Sequence, residues 1–120
     1  MGDAQKLPYE EQIRLAREAF EGGKDFTVAV EEEFAVLDPE TLSLVGRFEE
    51  LEAAAPGTEL EEHLVGELLS SEVEVRTGRC ETFAECAARM GERRRQLAAL
   101  ADPLYIALGA TGTHPWSPWQ

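Results

Sequence analysis

A chain of 120 residues has room for one domain with a modest core, and a hydrophobic share of 43% places it with globular rather than disordered proteins. Its 24 acidic and 11 basic residues leave a net charge of −13, which disfavours nucleic acid and anionic membrane surfaces as partners and concentrates cations near any acidic cleft. No apolar run approaches the ~20 residues needed to span a bilayer. Met1–Lys6 also lacks the apolar segment of a signal peptide, so a cytoplasmic protein is expected.

Along the chain, Pro8 followed by Glu10 and Glu11 suits a helix start, and Ile13, Leu15, Ala16, Ala19 and Phe20 form a stripe that Gly22-Gly23 ends. Residues 1–25 thus read as an N-terminal helical extension. Phe26 to Leu37 reads as the first strand. Its even positions, Val28, Val30, Glu32, Phe34 and Val36, form an apolar face broken only by Glu32. The odd positions set Glu31 and Glu33 among small residues. Glu32 would face the core, and a bulge, an arginine partner or a wet sheet end would each accommodate it.

Asp38-Pro39-Glu40-Thr41 signals a turn into a short return strand, Leu42 to Val45. Phe48 to Ala55 reads as a short helix stopped by Pro56-Gly57. Leu64 to Leu69 and Ser71 to Thr77 read as two further extended segments. Thr82 and Glu85 form a capping box for a long helix to about Ala101, lined by Phe83, Cys86, Ala87, Met90, Leu97 and Leu100. Leu104 to Gly109 reads as a last strand. Cys80 and Cys86, placed in that same helix, suit neither a compact disulfide nor a CxxC motif, and both are expected as reduced thiols. The order predicts an α+β fold, with a mostly antiparallel sheet and helices packed on one face. The final segment, with Trp116 and Trp119, needs cover, either from further chain or from a partner.

The carboxylates are the coherent chemical signal. Glu31 and Glu33 would lie about 6–7 Å apart on one strand face. Their repulsion is about 2.5 kcal/mol at an effective dielectric of ~20 and well under that in water. A wet acidic face and a cleft holding a hard divalent cation both fit that pattern. Glu67 and Glu74 form a second acidic set: on the residues alone they read as solvated strand acids, and if Ser70-Ser71 makes a bend both carboxylates approach the same cleft. His114, on a loop beyond the last strand, reads as a binding residue or a structural one. Arg93, Arg94 and Arg95 read as a solvated helix face. There is no Walker-type loop, dinucleotide fingerprint, zinc-ligand spacing or nucleophile elbow.

Four stretches carry a family resemblance, in order and at matching spacing. They are Phe26-Thr27-Val28-Ala29-Val30-Glu31-Glu32-Glu33-Phe34 with Leu37-Asp38-Pro39; Glu67 to Gly78; the helix with Arg94 and Leu97; and Gly109-Ala110-Thr111-Gly112-Thr113-His114-Pro115. On these the chain resembles the glutamate–cysteine ligase type 2 family, also called carboxylate-amine ligases, of the glutamine-synthetase-like superfamily. One departure is Ala29, where the family typically has glycine. The other is length, since family members continue well beyond the Gly-Thr-His-Pro segment. The resemblance implies part of a glutamine-synthetase-like catalytic domain over residues 26–120. It also implies ATP-dependent amide formation from glutamate and an amine such as cysteine, through an acyl phosphate. Glu31, Glu33, Glu67 and Glu74 would be Mg²⁺ ligands, and Thr113 and His114 would lie near the amino-acid substrate. It further implies that this chain alone does not turn over, with a non-catalytic binding or interaction module as the rival. The oligomeric state, a homo-oligomer included, is left open.

Overall fold

The computed structural model describes residues 7–118. Helix α1 spans Tyr9–Glu21, β1 Glu31–Leu37, α2 Phe48–Ala54, β2 Leu64–Gly66, β3 Glu72–Arg76, α3 Phe83–Ala101 and β4 Ala107–Gly109; a 3₁₀ turn at Asp102–Leu104 precedes β4. The four strands form one sheet in the order β2-β3-β1-β4, with every neighbouring pair antiparallel. The expected α+β architecture is therefore the one observed.

The two faces of the sheet follow from the period of two. On one face Phe34 and Val36 of β1 and Val73 and Val75 of β3 pack against Leu51 of α2 and Met90, Leu97 and Ala101 of α3, closed off by Leu60 and Ile106. Helices α2 and α3 cover this face. Helix α1 begins after Pro8 and ends at Gly22 as its sequence signals require, but it buries none of its residues. The opposite face carries Glu31 and Glu33 from β1 and Glu72, Glu74 and Arg76 from β3.

Helix α3 owes its start to Thr82, whose hydroxyl accepts the Glu85 N–H at 3.1 Å. Glu85 reaches back to the Glu81 N–H at 2.7 Å, one residue earlier than in the usual reciprocal box. The helix buries Cys86, Met90, Leu97 and Ala101. Phe83 and Ala87, expected on this apolar side, are exposed, while Cys86 between them is buried. Cys80 lies outside the helix, paired with Val28 in an isolated bridge, and both cysteines are buried free thiols.

The expected strand from Phe26 is interrupted for a specific reason. The ladder pairs Glu31 with Arg76, whereas the outlying bridge pairs Val28 with Cys80. Ala29 and Val30 therefore face three residues, Thr77, Gly78 and Arg79, and the extra residue makes a bulge. Gly78 supplies it with φ +68°, a conformation that L side chains rarely adopt. Buried Thr77 closes the gap: its N–H donates to Val30 O at 3.0 Å and its hydroxyl accepts the Val30 N–H at 3.0 Å. The expected return strand at Leu42–Val45 is also shorter. It is reduced to the bridge between Leu37 and Leu44, because Leu42 turns left-handed at φ 56° where the Asp38 carboxylate closes the turn. The last strand starts at Ala107 rather than Leu104, since the 3₁₀ turn and a left-handed Tyr105 intervene.

Glu32 has an arginine partner. It lies on the helix side of β1, and Arg94 of α3 grips it with two hydrogen bonds, Nε to Oε2 at 2.7 Å and Nη2 to Oε1 at 2.6 Å. Arg94 is thus a clasp between sheet and helix rather than a free solvated charge. The depth of the core gives a contrast along α3. Leu97→Ala should cost about 2–5 kcal/mol in urea unfolding, while Phe83→Ala should change stability by at most about 0.5 kcal/mol. Equal losses would contradict the placement of α3.

Candidate metal centre

Strand register builds the acidic site. Glu33 of β1 lies directly opposite Glu74 of β3, and Glu74 lies opposite Val65 of β2. Glu67 follows Val65 by two residues, just past the end of β2, which returns its side chain to the same face. One carboxylate oxygen from each of Glu33, Glu67 and Glu74 can be chosen so that all three lie within 4.8 Å of one another. Glu74 is buried at 5% exposure, while Glu33 and Glu67 are open to solvent. A turn at Ser70-Ser71, closed by the Glu72 N–H donating to Leu69 O at 3.1 Å, meets the condition on which the approach of Glu67 and Glu74 depends.

Glu31 shares their face but stands outside this trio. It lies opposite Arg76, whose Nε is 3.1 Å from Glu31 Oε1. The same Nε donates to Glu74 Oε1 at 2.6 Å. Arg76 is the site residue that sequence reasoning passed over. The period-two spacing Glu72, Glu74, Arg76 placed it on the acid face in plain view.

The electrostatics mark a concentration of negative charge. Desolvation, then the charges of Glu74 and Glu33, then a hydrogen bond shared with Glu74, push the Glu67 carboxyl above its ordinary value. Three hard oxygen donors at this spacing, one of them nearly buried, fit a hard divalent cation that takes carboxylate ligands and keeps some of its water. A soft metal would call for thiolate or imidazole, and Cys80 and Cys86 are buried among Thr77 and Gly78 instead.

Beside the trio opens a cleft of about 660 Å³, whose walls include Glu33, Glu72, Leu44, Leu69 and the loop Ala110–His114. Thr113 is exposed on that wall. His114 lines it too, but both ring nitrogens serve the backbone. Nδ1 accepts the N–H groups of Trp116 at 3.3 Å and Ser117 at 3.0 Å, so the proton resides on Nε2, which donates to Leu42 O at 2.7 Å. Trp116 meets the ring edge-on at 4.8 Å. Ser117 Oγ also accepts the Leu44 N–H at 3.0 Å, so the loop is stitched to the turn after β1. His114 here shapes the cleft wall. Trp119 lies outside the described residues.

Residues 27–120, which carry the whole acidic site, match the sequence profile of glutamate–cysteine ligase family 2. The chain belongs to that family. Among its relatives, "Putative glutamate--cysteine ligase 2-2" of Rubrobacter xylanophilus is 42% identical over 107 residues, covering 88% of this chain and 27% of the relative. Proteins named "Putative glutamate--cysteine ligase 2" from Chloroflexus aggregans and Corynebacterium glutamicum are 38% and 36% identical, over 79% and 78% of this chain and 24% and 25% of their own lengths. The chain spans about a quarter of the length of the curated relatives it matches. The family match covers the sheet, α2 and α3, while α1 precedes it. Among the described residues, no helix is long and apolar enough to cross a membrane.

The raised Glu67 carboxyl has a consequence for stability. A folded-state value above the unfolded one stabilises the fold fully below the unfolded value, near 4.5, and this contribution is lost as pH rises through the raised value. Melting temperature measured without divalent ions should therefore decline for the wild type relative to Glu67→Gln across that window. Parallel profiles for the two proteins would contradict the crowding of Glu67.

Proposed function

We propose that this chain carries the divalent-cation end of an ATP-dependent carboxylate–amine ligase site, which joins glutamate to an amine such as cysteine. The observation that carries the proposal is the convergence of Glu33, Glu67 and Glu74 beside an open cleft, in a chain of the glutamate–cysteine ligase family. The three carboxylates would hold Mg²⁺. When bound, the ion supplies charge neutralisation and orientation of phosphate oxygens, the main needs of phosphoryl transfer. Glu31 lies on the same face outside the trio, where Arg76 holds it.

The chain's own residues do the rest of the positioning at this end. Leu44 and Leu69 give the cleft an apolar wall, and the loop held by His114 and Ser117 gives it a polar one. In the proposed reaction an oxygen of the substrate's γ-carboxylate attacks the terminal phosphorus of ATP and ADP leaves. The amine nitrogen then attacks the acyl carbon, phosphate leaves and the amine gives up a proton. The acidic face, with a chain net charge of −13, repels triphosphate unless a cation lies between them, which supports a cation-first geometry. The relatives are about four times as long as the segment matched here, and the remaining walls of the site would come from such further sequence, so the 120-residue chain by itself should release no ADP with glutamate and cysteine.

Glu33→Gln and Glu74→Gln should each weaken Mn²⁺ binding by calorimetry at least about tenfold, since each removes a charged ligand. In a protein of the family's full length carrying these residues, each should abolish glutamate- and cysteine-dependent ADP release. Wild-type binding and turnover in both variants would refute the assignment.

A further inference from the structure

One cation already sits on the acidic face. Arg76 emerges beside Glu31 and two residues from Glu74, and its Nε contacts both, at 3.1 Å and 2.6 Å. Glu74 is also the buried member of the trio, so the guanidinium and any divalent ion in the trio draw on the same carboxylate. Glu31 and Glu33 from β1, Glu72 from β3 and Glu67 just past β2 are the other charged groups on its face. A guanidinium keeps its charge at any working pH, so it cannot step aside by losing a proton. It can step aside by moving. The Arg76 side chain is 43% exposed and Glu31 is 57% exposed, so a shift from Glu74 toward Glu31 opens no part of the core.

We infer that Arg76 is a built-in competitor for the divalent ion: it neutralises Glu74 and Glu31 when the ion is away and so sets the concentration at which the trio fills. The inference rests on the proposed metal reading of Glu33, Glu67 and Glu74. Arg76 is then a positioning residue, holding Glu74 in place at a cost in affinity. The ligand class is a hard divalent cation, and the adjustable quantity is its affinity rather than its geometry. Binding of the ion loosens the Glu74–Arg76 hydrogen bond and leaves Arg76 on Glu31 alone.

The test is a Mn²⁺ titration followed by the electron paramagnetic resonance of the free ion, with thermal melting in parallel. It compares the wild type with Arg76→Gln, Arg76→Met, Arg76→Lys and Glu33→Gln. Both neutral variants should bind Mn²⁺ about tenfold more tightly than the wild type, because one positive charge next to the site is gone. They should melt lower without metal and gain more from added Mn²⁺. Arg76→Lys should stay nearer the wild type than either. If Glu33→Gln loses binding while the neutral variants bind no more tightly than the wild type, the competitor role is overturned and the metal centre stands. If neither the wild type nor the neutral variants bind Mn²⁺ saturably, both fall. The melting curves identify any variant that fails to fold, and the second neutral variant then decides.

Discussion

Glu33 and Glu74 occupy directly opposed positions on adjacent antiparallel strands, and Glu67 is brought in beside them from the next strand over. Like charges in such cross-strand positions destabilise a sheet. Much of the surrounding structure can be understood as containing that repulsion. Arg76 covers Glu74 from one side, Glu67 takes up a proton more readily than a free carboxylate, and two of the three acids remain open to water. On the proposed metal reading, a bound divalent ion would turn the same crowding into attraction, making the cluster costly without an ion and favourable with one.

Holding the cluster in place requires rigid strands, and the other face of the sheet provides them. Phe34 and Val73 pack into the core between the acids, alternating with Glu33 and Glu74 along the same strands. The Glu32–Arg94 clasp ties β1 to α3 next to Glu33. The Gly78 bulge ends the regular ladder just beyond Arg76, which fixes how far the acid face extends. On the other flank, His114 and Ser117 bind the cleft loop to the turn after β1, so that the loop wall and the acidic strand are parts of one connected frame. The membership of glutamate–cysteine ligase family 2 and the position of the acids agree: the matched segment contains every one of them.

The sequence showed the parts that depend on simple periods. The two faces of β1, the capped start of α3 at Thr82 and the approach of Glu67 to Glu74 all follow from alternation, capping chemistry and a serine bend. What escaped depends on tertiary register. A one-residue bulge at Gly78 interrupts the ladder between Val28 and Glu31, so that β1 starts at Glu31 rather than Phe26, and no local pattern announces which strand carries the extra residue. Glu32 stands out in the alternation as an acid on the apolar face, but its partner Arg94 is 62 residues away in sequence and no local pattern names it. Arg76 was visible as an alternating residue, yet its hold on Glu31 and Glu74 emerges only once β1 and β3 are paired. The position of His114 on a loop follows from its neighbours, while its engagement by three backbone groups depends on the loop folding back on the turn after β1.

The central claim is that the carboxylates of Glu33 on β1, Glu74 on β3 and Glu67 just past β2 form one cation site. The most direct measurement is anomalous diffraction from crystals of the protein soaked in Mn²⁺. The account predicts an anomalous peak about 2.1 Å from oxygens of Glu33, Glu67 and Glu74, the distance expected for a small hard cation in carboxylate ligation. A peak bound elsewhere, or none at saturating Mn²⁺ with the three side chains ordered, would contradict it.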